Sequence, residues 1–482
     1  MIVQEASMSE STGGAGGTGG TGREASGPGA SRRRVLRAAA GAVGAGGLWL
    51  AACGGPGAGA GREAAQPAPE KVSGKVVFFS VHASGKNYDG QLAAFRLFNE
   101  QHRAQGLEVE VRPGPGNYAK QREQILLEHT AGTPADLYEN GWGAWTDLVD
   151  GGVLEDLGPF ARRDKLDPPA LFLPNMIEAW THNGKLYALP MSVSTDVVGY
   201  NKDLFDAAGV KAPPVNLEDK AWTMEAFLEA AQKLTRGTEQ FGFSGSLNRA
   251  NPVGATEGTY FGQAPWDEAR KKCLMNTPNF IKGMQFFLDV KDKWRVQPDA
   301  DRARELAGPQ NVPLFLTGKV AMHAVGAEVI GQTVPFKWAL GSIPFSGQGK
   351  NQSGRHWSQG LHLDAGSKAK EGAWRVYRWL MEPANNVEYT IPFGQPVTAL
   401  KAAQEALQRR WTQETGVDGK AYALTASVSL PSGGGMLKYG TWTSVLDQLT
   451  PLFTDMKEGR MTVKDYADRA TAIIDRDLVP QK

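Results

Sequence analysis

The stretch "HNGKLYALPMSVSTDVVGYNKDLFDAAGVKAPPVNLEDKAWTMEAFLEAAQKLT", residues 182–235, decides the fold. It opens on two strand-like runs, KLYALP and TDVVGYN, rich in β-branched and aromatic residues. It closes on TMEAFLEAAQKLT, whose apolar residues recur at helical spacing. Thr223 stands where an N-cap belongs, with Glu225 and Glu229 on the polar side. Strand followed by amphipathic helix calls for a layered α/β architecture.

The flanks repeat that alternation. Upstream, KVVFFSV (75–81) reads as a buried strand. The next segment, DGQLAAFRLFNEQHRAQG, places Leu92, Phe95, Leu97 and Phe98 at helical spacing and stops on glycine. LEVEVR alternates as a strand, YAKQREQILLEHTAG is helical, ADLYEN is a strand and GAWTDLVDGG a short helix. Strands and helices in turn predict a parallel sheet with right-handed crossovers. Downstream, FIKGMQFFLDVKDKW, EGAWRVYRWLME and TVKDYADRATAIIDRDL read as helices, and KVAMHAV and WALGSIPF as strands. No internal repeat of about 20–50 residues is present.

Composition narrows the function. The chain has 482 residues, 41% hydrophobic and 21% charged, with a formal net charge of +1. Nothing in that balance suggests nucleic acid as a partner. Two cysteines, Cys53 and Cys273, make neither a disulfide framework nor a thiolate zinc site. The seven histidines lack metal-binding spacing, so no metal and no cofactor is expected. GPGNYA (114–119) matches a GxGxxA dinucleotide-binding turn, but Pro115 stiffens it, and a strand-to-helix turn needs the same small residues.

The N-terminal segment supplies an address. Residues 1–30 are Gly, Ser, Thr and Ala with scattered charge, a composition that does not fold. Ser31-Arg32-Arg33-Arg34-Val35-Leu36-Arg37 resembles a twin-arginine export motif. The apolar run Ala38–Ala52 is shorter than the ~20 residues of a membrane span and fits the core of a cleaved signal. Leu50-Ala51-Ala52-Cys53 resembles a lipobox, with Cys53 carrying lipid. Residues 1–53 are thus expected to be a twin-arginine lipoprotein signal with a disordered extension. Residues 54–72 would be a flexible linker.

The 182–235 stretch also resembles the extracellular solute-binding proteins of ABC importers, in the subfamily with many sugar binders. Gly184–Pro190, Tyr200–Gly209, Pro213-Pro214 and Ala221–Thr235 carry the likeness, with the Trp222-Thr223 order a small departure. AGTPADLYENGW (131–142), LFLTGKVAMHAVGAEVI (314–330) and GLHLDAGSKAKEGAWRVYRWLM (360–381) agree with it. The resemblance implies a two-lobe periplasmic-binding-protein-like α/β fold of type II with the ligand cleft between lobes. It implies residues 73–192 plus 320–362 in lobe one and 193–319 plus 363–482 in lobe two. PMSVST (190–195) and HLDAG (362–366) are the expected hinge segments, which permit rigid-body closure.

A sugar site needs flat rings and hydroxyl or amide partners at the C-terminal ends of strands. Candidates are His82, Ser84 and Asn87 after the first strand, Asn140 and Trp142 after ADLYEN, and Ser192 and Ser194 on the first hinge. Tyr260, Phe261 and Trp266 lie in GTYFGQAPWDE, Gly326 and Glu328 in AVGAEV, Trp357 in RHWSQG, and Tyr439 and Trp442 in KYGTWTSV. By resemblance, Trp442 stacks on sugar. Trp180, Trp222, Trp294, Trp374 and Trp379 read as core, and Met176, Met191, Met284 and Met381 as packing. Trp145, Trp338 and Trp411 fit either role.

The leading expectation is an exported, lipid-anchored, monomeric receptor that hands a mono- or oligosaccharide to an ABC permease. Two alternatives stand beside it. One is the same fold holding a glycerol phosphodiester or a polyamine. The other is an exported glycan hydrolase using carboxylates among Glu139, Glu257, Asp267 and Glu328.

Overall fold

A computed structural model describes residues 71–477, apart from 141–144, 196, 246–260, 262, 264, 268–270, 326–328, 331, 346–354 and 432–441. The expected signal, lipidation site and most of the linker therefore lie outside the described residues. Residues 65–482 form one compact unit. Among the described residues, no helix is long and apolar enough to cross a membrane.

The strands are β1 (Gly74–Phe79), β2 (Leu107–Arg112), β3 (Leu137–Asn140), β4 (Thr181–His182), β5 (Lys185–Leu186), β6 (Leu189–Thr195) and β7 (Val197–Asn201). They continue as β8 (Phe241–Ser244), β9 (Val320–Val325), β10 (Trp338–Gly341), β11 (Arg355–Leu363) and β12 (Leu430–Pro431). One sheet has the order β12-β11-β3-β1-β2, with β6 also paired to β11. Its β1, β2 and β3 are parallel, whereas β11 runs antiparallel to β3 and β6. A second sheet has the order β10-β7-β9-β8, with β8 parallel to β9 and β7 antiparallel to both β9 and β10. The expected α/β class with two lobes holds, although both sheets are mixed rather than purely parallel.

Local chemistry explains the deciding stretch. Asn183 and Gly184 both have positive φ, 49° and 75°, and form the two-residue turn between β4 and β5. Asn201 ends β7 and caps the next helix, Lys202–Ala208, by accepting from the Leu204 N–H at 3.3 Å. Gly209 stops that helix in the left-handed region. Thr223 accepts from the Ala226 N–H at 3.2 Å and caps Met224–Leu234. That helix lays Met224, Phe227, Ala231 and Leu234 on the second sheet.

GPGNYA is a turn. A Cβ at Gly114 would come within 1.9 Å of the Ser80 carbonyl oxygen, and Gly116 has φ 71°. The Asn117 side chain then accepts from two N–H groups at the start of helix Tyr118–Thr130.

Two of the expected boundaries need correction. Residues 320–341 do not join lobe one, because β9 is hydrogen-bonded between β7 and β8 in the second sheet and β10 pairs with β7. Residues 363–431 do not join lobe two. Helix Lys370–Met381 packs Trp374, Tyr377 and Trp379 into the cluster holding Val76, Phe78 and Phe95, and β12 pairs with β11. Among the described residues of this part, Trp442–Lys457 and Val463–Asp477 return, packing with Phe280 and Met284 of helix Pro278–Asp292. HLDAG is accordingly no crossing segment. Leu363 pairs with Leu137 inside the first sheet, and Asp364 accepts from Gly366 N–H and lies 2.7 Å from His129 Nδ1.

Trp180, Trp222, Trp374 and Trp379 are buried, as are Trp145 and Trp411. Trp294 and Trp338 are partly buried against apolar clusters. Cys273 is a free, fully buried thiol pushed up to about 12 by that burial.

Two consequences are measurable. Thr223→Ala should cost about 1 kcal/mol of stability by urea unfolding, the usual worth of a lost N-cap. His362 is fully buried among Tyr138, Trp145 and Trp180, with Nδ1 3.0 Å from the Tyr187 carbonyl. A carbonyl only accepts, so Nδ1 carries the hydrogen. Burial lowers its pKa from 6.5 to about 3. The folded state then binds fewer protons than the unfolded state between those values, so stability falls as pH drops through that window. Its slope is at most about 1.4 kcal/mol per pH unit. Urea melts across that window should show a shallower slope in His362→Asn.

Candidate functional site

The pairing pattern aims both sheets at one place. β6 leaves the first sheet at Thr195, and β7 enters the second at Val197. Because β1, β3 and β6 run in the same direction, their C-terminal ends point toward that junction. Val325, the last residue of β9, pairs with Val197, the first of β7, and β8 runs parallel to β9. The C-terminal ends of β8 and β9 therefore approach the same junction from the other sheet. Strand ends of this kind are where α/β proteins place ligands.

The first sheet brings polar side chains to that edge. Ser192 Oγ donates to Gln359 Oε1 at 2.7 Å, and Gln359 Nε2 donates to Tyr118 Oη at 2.6 Å. This chain ties β6 and β11 to the first residue of helix Tyr118–Thr130. The Thr195 N–H donates to Tyr422 Oη at 3.0 Å, and that hydroxyl donates to Ser194 Oγ at 3.3 Å. After β1, His82 Nε2 lies 3.4 Å from Glu139 Oε1, next to buried Asn140 on β3. Glu139 is fully buried, and burial raises its pKa against the opposing pull of His82, the Gln91 amide and the Val81 backbone. The second sheet contributes Ser244 Oγ, 2.8 Å from His323 Nδ1, with the His323 ring stacked on Phe315. Gly245, with φ 82°, makes room for that imidazole.

Of the expected site residues, the structure brings His82, Asn140, Ser192 and Ser194 to this edge. Ser84 is exposed on the loop before helix Lys86–His102. Trp357 lies on β11 opposite Ser194, and Trp442 is the first residue of helix Trp442–Lys457; their side chains lie outside the described residues. Trp142, Tyr260, Gly326, Glu328 and Tyr439 lie outside them altogether. Trp266 departs from expectation. It is buried beside Cys273, Met275 and Phe280, and its backbone bridges to Cys273. An aromatic, glycine-rich stretch suits a stacking platform or a core plug equally, and packing against Cys273 makes Trp266 a plug.

The residues missed in the sequence are Tyr118, Gln359, Tyr422, Ser244 and His323. Tyr118 and Ser244 stand at strand or helix ends and were reachable by that rule. Gln359 and Tyr422 become polar partners of β6 only through contacts across 167 and 227 residues.

Of the carboxylates considered for glycan cleavage, Glu257 and Glu328 lie outside the described residues. Asp267 accepts from the Lys271 and Lys272 N–H groups in a turn. Among the described residues, no group of three or more His, Cys, Asp or Glu is placed to hold a metal ion. A separate groove of about 650 Å³ lies between helix Pro278–Asp292 and Thr462–Lys464.

Removing one hydroxyl tests the hydrogen-bond chain. Tyr118→Phe leaves the Gln359 amide short of an acceptor and should lower stability by about 1–3 kcal/mol in urea unfolding.

Comparison with known proteins agrees with this geometry. The profile described as bacterial extracellular solute-binding protein matches residues 82–387. A binding protein of Brucella abortus (strain 2308) is 26% identical over 279 residues, 56% of this chain and 63% of the relative. The chain thus spans less than two thirds of the length of the first curated relatives it matches. The galactooligosaccharide-binding protein of Bacillus subtilis (strain 168) is 24% identical over 350 residues, 70% of this chain and 75% of the relative. In fold, the chain is similar to an ABC substrate-binding protein from Listeria monocytogenes in complex with cycloalternan. That likeness has a TM-score of 0.64 and 20% identity, and covers 84% of this chain and 99% of the other. With a family match across 82–387 and strand ends from two sheets converging on one junction, the chain belongs to the bacterial extracellular solute-binding proteins.

Proposed function

We propose that this protein is a lipid-anchored receptor that binds a carbohydrate between its two sheets and delivers it to an ABC-type permease. The observation that carries the reading is the convergence of polar strand ends on the Thr195–Val197 junction in a chain of this family. Ser192, Ser194, His82 and Asn140 supply the hydroxyl, imidazole and amide groups that sugar hydroxyls pair with. Trp142, Tyr260, Trp357, Tyr439 and Trp442 are the proposed rings for the apolar C–H faces, with Gly326 and Glu328 beside them. The sugar binders among the relatives favour this solute class over a phosphodiester or polyamine.

Ligand that touches both sheets drives closure only by binding the closed form more tightly than the open one. Arg32 and Arg33 are the proposed export signal and Cys53 the lipidated residue. Two or more acyl chains there hold the receptor firmly at the membrane, at about 0.8 kcal/mol per buried CH2. Family and fold are those of binding receptors, and the reading assigns no catalytic residue and no cofactor.

A thermal-shift screen over sugars, amino acids, polyamines and phosphodiesters tests the solute class. A rise in Tm with oligosaccharides is expected, and a rise with a non-sugar alone would overturn it. Trp442→Ala should weaken sugar binding about tenfold in a tryptophan-fluorescence titration, the scale of a lost stacking contact. Undiminished affinity would remove Trp442 from the site.

A further inference from the structure

Behind the strand-end site, a carboxylate is buried without a well-formed hydrogen bond. Glu139 is fully buried, and among the described residues neither of its oxygens has a partner in hydrogen-bond geometry. His82 Nε2, itself inaccessible, lies 3.4 Å from Oε1, and the Gln91 amide and the Val81 backbone also favour the charged carboxylate. The His82 side chain is 23% exposed although its Nε2 is inaccessible, so other atoms of the side chain meet solvent. Two hydrogen bonds hold the His82 main chain in place. The His82 N–H donates to Ser80 Oγ at 2.9 Å, and the His82 carbonyl accepts from the Gly114 N–H at 3.0 Å.

A bare Nε2 lone pair facing a buried carboxylate oxygen is repulsive, whereas an N–H there is attractive. We propose that Glu139 is a positioning residue that keeps the proton on His82 Nε2, so that Nδ1 offers the cleft a hydrogen-bond acceptor. The inference rests on the cleft reading and sharpens its solute class. An acceptor backed by a buried carboxylate selects a group that donates, such as a sugar hydroxyl. It rejects a phosphoryl group, which brings only acceptors and negative charge.

The tautomer test needs no solute. The full chain is labelled with 15N-histidine, and His82 is assigned among the seven histidines by comparison with His82→Gln. Neutral His82 should carry its proton on Nε2. In Glu139→Gln, whose amide can donate as well as accept, that preference should fall about tenfold, the scale of one charge-assisted hydrogen bond. A proton on Nδ1 in the wild type, or unchanged tautomer populations in Glu139→Gln, would overturn the proposal. A melting arm uses dimethyl phosphate, a phosphodiester with no donor, which should leave Tm unchanged; a rise would overturn the donor-selective chemistry. Absence of any sugar response with the tautomer result intact would instead remove the carbohydrate reading and leave the role of Glu139 standing.

Discussion

The antiparallel pairing of β6 with β11 is the constraint on which the rest depends. It runs from Leu189–Leu361 to Thr195–His356, with one irregularity at Gln359/Gly360. The pairing holds β6 straight as far as Thr195, and after one residue the same chain is β7 of the other sheet. Without it, the ends of β1 and β3 would have no fixed relation to those of β8 and β9. The irregularity is itself packed tightly, since a Cβ on Gly360 would come within 2.8 Å of both Trp180 and Ala188. Trp180 is held by its own Nε1–H donating to Ser358 Oγ at 2.7 Å. Core packing on one face of β11 thus supports the polar chain Ser192–Gln359–Tyr118 at its neighbouring residue.

What was legible in the sequence was local. Thr223 declared itself because a cap is a contract between residues three apart, and Asn201 and Gly184, which went unread as cap and turn, follow the same local rule. The strands LEVEVR and KVAMHAV were legible for the same reason: period and β-branching are properties of the segment alone. Sheet membership is different. KVAMHAV would suit either lobe, and only hydrogen bonds to Val197–Tyr200 and Phe241–Ser244 place it in the second sheet. The helix Lys370–Met381 was likewise recognisable as a helix but not as a cover for Val76 and Phe78.

The candidate site divides along the same line. His82 follows β1 and Asn140 ends β3, so both were found by that rule, whereas Ser192, within β6, was found as a hinge residue. Tyr422 comes from a helix whose own pattern is that of a packing element, and it reaches the site because its hydroxyl accepts from the Thr195 N–H. Trp266 failed in the opposite sense, since composition alone does not say which side of a ring is covered.

The corrected pairing also settles how many times the chain passes between the two sheets. Strands β1, β2, β3 and β6 belong to the first, β7 to β10 to the second, and β11 and β12 to the first again, while β4 and β5 pair with each other; helices Trp442–Lys457 and Val463–Asp477 pack against helix Pro278–Asp292, which lies on the second. Among the described residues, three stretches therefore connect them, after Thr195, after Gly341 and after Pro431. Two of these begin at strands that carry or adjoin the polar groups of the site: β6 holds Ser192 and Ser194, and β12 pairs with the start of β11. On the proposed function, a solute that pulls on those groups would act directly on the segments that join the sheets, and binding and rearrangement would share the same residues. Hinge motion of this kind requires only that a few connecting residues absorb the change while each sheet stays rigid. The buried pairing of β6 with β11 supplies that rigidity on the first side, and the β7–β9–β8 ladder supplies it on the second.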